Sequence, residues 1–169
     1  NLGMLSTSII GIAIPTMPVA YAVDATNNLH IFNPMSPGTP VMKAIANLQG
    51  GETILGIDMR PATGGLYALG STGRLYLLNT ATGAAAMVGL APVAVLDGTD
   101  FGFDFNPTVD RIRIVSNTGQ NLRVNPNDGL LAATDGALNP GTPNVTGAAY
   151  TNNFPGASTT LLFDIDSTT

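Results

Sequence analysis

Two aspartates recur at equivalent places of an internal repeat. Asp58 lies in GIDMRP at 56–61, and Asp104 lies in GFDFNP at 102–107, which is 46 residues later. Carboxylate and amide oxygens are ligands that calcium prefers, so Asp58, Asp104 and Asn106 are weak candidates for a cation site on a central axis. The alternative is that each aspartate caps the proline-containing turn that follows it, through backbone amides. Recurrence at the repeat period favours this structural role.

Four aspartates within fourteen residues form a second acidic group, namely Asp97, Asp100, Asp104 and Asp110. Calcium binds several oxygen ligands from a flexible loop, but the spacing here does not match an EF-hand loop. We therefore predict no cofactor and no metal, and calcium is the alternative.

Half of the six basic residues lie close together, at Arg111, Arg113 and Arg123. Arginine forks bind carboxylates in a bidentate manner, so Arg113 and Arg123 are candidates for holding an acidic ligand or a partner's acidic group. The alternative, which we favour, is an ion-pair ladder across neighbouring strands with Asp110 or Asp104.

Groups that could perform acid–base or nucleophilic catalysis are scarce. His30 is the only histidine, Glu52 is the only glutamate, and cysteine is absent. No Gly-x-Ser-x-Gly, His-Glu-x-x-His or P-loop pattern occurs. We predict that the protein is not an enzyme; the competing hypothesis is a metal-dependent hydrolase or lactonase.

The composition excludes several classes of partner. Charged residues make up 10% of the chain and the net charge is −5, so a cationic surface for nucleic acid is not expected. The apolar stretch near the N-terminus is too short, and too broken by Pro15 and Pro18, for a membrane span. Low charge and many Thr, Asn and Gly favour an extracellular or cell-surface protein.

A repeat of about 46 residues predicts the architecture. The segment 21–33 returns ungapped at 67–79. The full copy predicts four strands, at 54–59, 66–70, 74–78 and 84–89, separated by turns rich in Gly and Pro. A period in the forties that contains four short strands is typical of a β-propeller blade. We predict an all-β, propeller-like array of four-stranded antiparallel blades.

Partial copies flank the full ones. Strands are expected at 19–23 and 29–32 before them, and at 147–150 and 161–165 after them. This makes about three blades' worth of strands, whereas closed propellers use roughly 4–8 blades. We therefore expect an open or incomplete propeller in residues 19–169, as a fragment or as a subunit that completes its sheets with other chains.

Residues 1–18 form an apolar N-terminal segment, interpreted either as the remnant of an export signal or as an ordered β-arm. In the second interpretation its isoleucines pair with a sheet edge of the same or a neighbouring subunit. The assembly candidates are Ile9, Ile10, Ile12 and Ile14. Expected partners are therefore other copies, as a homo-oligomer or filament, or another surface protein.

Three segments resemble a bacterial domain-of-unknown-function family, family 4394. They are GETILGIDMRPATGGLYAL at 51–69, GFDFNPTVDRIR at 102–113 and QNLR at 120–123. The resemblance covers the chain from about Tyr21 to its end. It implies an exported, propeller-like bacterial protein without an assigned activity, whose relatives usually continue past this point. The expected function is a structural or binding module.

Overall fold

The computed structural model describes residues 18–168, and this part of the chain is all-β. It contains thirteen strands and no helix, so no membrane-spanning helix occurs in the described range. The strands are β1 (Ala20–Val23), β2 (Asn28–Asn33), β3 (Ser36–Ala44), β4 (Ile54–Met59), β5 (Leu66–Gly70), β6 (Leu75–Leu78), β7 (Ala85–Val88), β8 (Phe101–Asn106), β9 (Arg111–Ser116), β10 (Asn121–Val124), β11 (Leu131–Thr134), β12 (Val145–Tyr150) and β13 (Leu162–Asp166).

Two complete antiparallel sheets correspond to the two full copies of the repeat. Their strand orders are β4-β5-β6-β7 and β8-β9-β10-β11. Consecutive strands are neighbours because the connections are short and contain the Gly, Pro and Asn residues that tight turns need. The strands predicted at 54–59, 66–70, 74–78 and 84–89 are confirmed to within one residue at each end.

Two partial sheets flank the complete ones, with the orders β1-β2-β3 and β12-β13. The repeat aligns β1 with β5, so the first sheet contains the second, third and fourth strands of a copy. The last sheet contains only a first and a second strand. Sequence reasoning missed β3, because Pro37, Gly38 and Pro40 interrupt it. Proline is tolerated there because β3 is an edge strand of its sheet.

The first strands of successive sheets lie beside one another. Strand β4 packs against β8, and β8 packs more extensively against β12. Glycines permit this approach: a Cβ atom on Gly56 would lie 2.7 Å from Cβ of Phe103, and one on Gly102 would lie 2.7 Å from the backbone nitrogen of Ala148. Both distances are shorter than a van der Waals contact, so these two places require glycine.

Apolar side chains fill two cores, one on each face of the β4–β7 sheet. Strand β5 is buried along its whole length because its alternating side chains enter both cores. Tyr67 and Leu69 join Phe103 and Phe105 of the next sheet, and Leu66 and Ala68 join Leu29 of the preceding sheet. The central strands therefore hold the loops and first strands in fixed positions.

Candidate functional site

The two recurring aspartates connect neighbouring sheets. Oδ2 of Asp58 in β4 accepts a hydrogen bond from the backbone N–H of Phe105 in β8, at 2.8 Å. Oδ2 of Asp104 in β8 accepts one from the backbone N–H of Tyr150 in β12, at 2.7 Å. The same carboxylate-to-amide bridge is thus made twice, once at each junction between first strands.

These bridges replace the turn capping that the sequence favoured. The other oxygen of Asp58 accepts the N–H of Met59, which precedes the turn. At the equivalent turn of the next copy the cap is Asn106, whose Oδ1 accepts the N–H groups of Thr108 and Val109. The amide of Asn106 is therefore engaged locally in its turn.

The carboxyl groups of Asp58 and Asp104 influence each other. Burial raises the pKa of Asp58. Burial, and then the charge of Asp58, raise the pKa of Asp104 to about 7. Two adjacent carboxyls out of water cannot both ionise cheaply, so one proton is retained near neutral pH. Such a pair is chemically suited to a proton-sharing contact or, with further ligands, to a cation.

A clamp between turns reinforces the β4–β8 junction. The guanidinium of Arg60, in the β4–β5 turn, donates two hydrogen bonds to the carboxylate of Asp110, in the β8–β9 turn. It also donates to the hydroxyl of Tyr67, which donates in turn to the carbonyl of Pro126. The guanidinium hydrogen bond lowers the pKa of Asp110.

Backbone conformation orients the acidic partner of this clamp. Asp110 adopts a left-handed φ of 51°, and Gly64, at the equivalent turn position of the preceding copy, has a φ of 71°. Aspartate tolerates this region better than most residues. The same turn position is therefore a glycine in one copy, Gly64, and an aspartate that binds Arg60 in the next copy, Asp110.

The clustered arginines bind a carboxylate of their own sheet. Arg123 donates two hydrogen bonds to Asp135, each 2.8 Å long, and Arg113 also donates to it. Arg113 further donates to the hydroxyl of Tyr150, at 3.2 Å. Hydrogen bonds from Arg123 and then Arg113 lower the pKa of Asp135. The acidic partner differs from the predicted Asp110 and Asp104, because Asp135 directly follows β11 and pairing across three strands brings it alongside.

Arg111 behaves differently from the other two arginines. Its guanidinium donates to the main-chain oxygen atoms of Val109 and Asp110. The three arginines therefore do not converge on one ligand position.

Sequence reasoning missed the role of Glu52. This carboxylate is buried, with 4% of its surface exposed. It accepts hydrogen bonds from the hydroxyls of Tyr76 and Thr72 and from the N–H of Thr72. The hydrogen bonds tie the loop before β4 to the β5–β6 turn and to β6. A signal was available, since Glu52 is the only glutamate of a weakly charged chain.

His30 pairs with a nearby carboxylate. Its Nε2 lies 2.9 Å from Oδ2 of Asp24. Oδ1 of the same carboxylate accepts hydrogen bonds from the N–H groups of Thr26, in the β1–β2 turn, and of Asn28, at the start of β2. The contacts with His30 and then Asn28 lower the pKa of Asp24. This group orders the turn between β1 and β2.

A sequence model described as a domain of unknown function (DUF4394) matches residues 28–169. The chain belongs to this family. No curated protein matches the chain. The resemblance on the three segments at 51–69, 102–113 and 120–123 is thereby confirmed, and family membership carries no activity with it.

Two predicted sites of this DUF4394 chain remain to be considered, the metal site and the assembly residues. Within residues 18–168, no group of three or more His, Cys, Asp or Glu side chains is placed to hold a metal ion. The assembly candidates Ile9, Ile10, Ile12 and Ile14 lie outside the described residues. All buried side-chain polar atoms in the described range have hydrogen-bond partners.

Proposed function

We propose that this chain is a non-enzymatic, exported β-protein that serves as a structural or binding module with a propeller-like arrangement of sheets. The observation that carries the proposal is the use of its carboxylates. Asp58, Asp104, Asp110 and Asp135 each accept hydrogen bonds that join strands, turns or sheets. Carboxylates held in this way stabilise the array and leave few groups for chemistry.

The propeller-like arrangement is supported by the repeated sheets. Two complete four-stranded meanders follow one another, and their first strands lie side by side with that of the last sheet. In a propeller the first strand of each blade lines a central axis. Export is supported by the low charge and the many Thr, Asn and Gly residues, which suit a protein outside the cell.

A calcium titration tests the non-enzymatic role. The thermal unfolding midpoint of the chain is measured in chelator and in millimolar calcium, alongside an Asp58→Asn/Asp104→Asn double variant. The proposal predicts that calcium leaves the midpoint unchanged in both proteins. A rise of several degrees in the parent that is lost in the double variant would support a cation on the central axis, and hence the metal-dependent hydrolase.

Self-assembly is a narrower form of the proposal. Residues 1–18 of one copy would add a strand to an open sheet edge of the next, and a contact of this kind that does not close gives a filament. Light scattering and negative-stain imaging of the whole chain test it. Filaments or rings support assembly, and a monomer at high concentration contradicts it. The same segment could instead bind within its own subunit, and a monomer would favour that alternative.

A further inference from the structure

Within residues 18–168, the three-stranded sheet has no counterpart of the first strand that both complete sheets possess. Its strand β1 aligns with β5 through the 46-residue repeat, and in the complete sheet β5 is preceded by β4. Strands β4 and β8 pack together, as do β8 and β12, but β1 and β4 make few contacts. A place for one strand is therefore open between β1 and β4.

The walls of this place carry apolar side chains that are only partly buried, and Asp58 also lines them. Tyr21 and Val23 of β1 lie on one side, and Ile57 and Met59 of β4 lie on the other. Every residue of β4 is half-buried, whereas the four inner residues of β8 are buried. The difference follows from position, because β8 has a first strand on either side and β4 has one on a single side.

Cavities mark the same place. One of about 210 Å³ lies between 19–21 of the first sheet and 57–59 of β4. Another of about 100 Å³ lies between Val23 and 54–57. The two cavities follow β4 along its length, as expected for a groove that accepts an extended segment.

The chain carries a matching segment one repeat upstream. Gly11-Ile12-Ala13-Ile14 repeats the pattern of Gly56-Ile57-Asp58-Met59, 45 residues earlier, with glycine in the place that permits close packing. Five residues separate Ile14 from β1, compared with six between β4 and β5 and four between β8 and β9. The connection therefore has the length of a hairpin turn within one chain.

We propose that residues 8–14 bind in the groove between β1 and β4 of their own chain and form the missing first strand. By analogy with the pairing of Ile57 with Ala68 and of Met59 with Leu66, Ile12 pairs with Ala22 and Ile14 pairs with Ala20. Gly11 packs against Ile57, as Gly56 packs against Phe103. In this arrangement the isoleucines pair with β1 of their own chain and not with a strand of another copy.

Disulfide trapping tests two things: which residues of the segment and of β1 face each other, and whether they belong to the same chain. The chain contains no cysteine, so an Ile12→Cys/Ala22→Cys variant has only the two introduced thiols. The matched control is Ile12→Cys/Ala132→Cys, because Ala132 is exposed on β11 of another sheet. Dilute protein is oxidised with copper phenanthroline and its mass and mobility are read without reductant.

The proposal predicts a monomer with an internal disulfide for the Ile12/Ala22 pair and free thiols for the control. A covalent dimer of the Ile12/Ala22 variant would mean that the groove is filled by another copy. Free thiols in both variants would mean that the segment binds elsewhere. Either result overturns the proposal.

A packing variant gives an independent measurement. Gly11→Leu places a side chain where the neighbouring strand leaves no room, and Gly3→Leu makes the same change before the proposed strand. We expect Gly11→Leu to lower the thermal unfolding midpoint by roughly 5 °C and Gly3→Leu to leave it unchanged. Equal midpoints for the two variants would overturn the proposal.

Discussion

The β4–β8 junction and the β1–β4 junction join successive sheets in the same chain, yet they are built differently. At the first, two first strands meet directly through Gly56 and the Asp58 bridge, and the Arg60–Asp110 clamp lies beside them. At the second, a groove with two cavities lies between β1 and β4. Close packing of two sheets in this fold therefore coincides with a glycine and a carboxylate bridge between adjacent first strands.

The comparison also separates polar from apolar contributions. The β4–β8 junction is held by hydrogen bonds of buried or half-buried groups, and the aromatic rings of Tyr67 and Phe105 pack edge to face behind them, with centroids 5.2 Å apart. The β1–β4 junction combines partly buried apolar side chains with the hydrogen bonds of Asn27, which donates to the carbonyl of Glu52 and accepts from the N–H of Ile54. Mutations should therefore have their largest effects at the first junction, and their size should follow the polar contacts they remove.

Removal of the turn clamp should have the largest effect. Arg60→Ala leaves the carboxylate of Asp110 without its bidentate partner, and Arg60 is 7% exposed. We expect a loss of about 3 kcal/mol in the free energy of unfolding, measured by urea denaturation. Arg111→Ala is the control, because it removes only hydrogen bonds to main-chain oxygens. Equal losses would contradict a special role for the clamp.

Substitution of the close-packing glycine comes next. In Gly102→Ala the new Cβ would meet the backbone nitrogen of Ala148 at 2.7 Å, so the first strands must separate. The expected loss is about 2 kcal/mol in the same urea experiment. Gly147→Ala is the matched control, because the nearest atom there is a flexible side-chain carbon of Ile165 at 3.4 Å. A neutral Gly102→Ala would show that the strands do not pack this closely.

The strand pattern could be predicted from the sequence, but these contacts could not. Turn residues and alternation act over a few neighbouring positions, and so they located β4 to β7 almost to the residue. The partners of Asp58, Asp104 and Asp110 lie about 46 to 50 residues away in a neighbouring sheet. Which side chain reaches across depends on how the sheets pack, and no local pattern specifies it. Asp135 was missed as the arginine partner for a different reason, because it follows β11 and becomes a neighbour of Arg113 only through the pairing of β9, β10 and β11.

Loss of the carboxylate bridge should have an intermediate effect. Asp58→Ala leaves the N–H of Phe105 without its acceptor, which should cost about 1–2 kcal/mol. Asp58→Asn keeps an oxygen at that position and relieves the repulsion with Asp104, so its stability should stay near that of the parent. If Asp58→Ala and Asp58→Asn lose the same free energy of unfolding in urea, then the charge of Asp58, and not its hydrogen bond, stabilises this junction.

The pH dependence should be the smallest effect. Asp104 has a pKa of about 7 in the folded protein, against the ordinary aspartate pKa of 3.8 in the unfolded chain. Between these pH values the folded state therefore holds a proton that the unfolded state has lost. The free energy of unfolding should therefore fall as the pH rises from about 4 to 7, by about 1 kcal/mol after solvent screening is considered.

The Asp104→Asn variant provides the control for this prediction. It keeps an acceptor for the N–H of Tyr150 but cannot ionise, so its stability should change less between pH 5 and pH 8. The lowered pKa values of Asp110 and Asp135 act only at lower pH and leave this window unaffected. A parent protein that becomes more stable as the pH rises through this window would contradict the shared proton.

Amide hydrogen exchange tests most directly whether these carboxylates join the sheets. Exchange at Phe105 and at Tyr150 is followed by NMR in the parent and in Asp58→Ala. The account predicts that the Phe105 amide exchanges on the order of ten times faster, relative to Tyr150, because only its acceptor is lost. An unchanged ratio of the two rates would show that Asp58 does not hold β8, and would contradict the structural role given to the repeated aspartates.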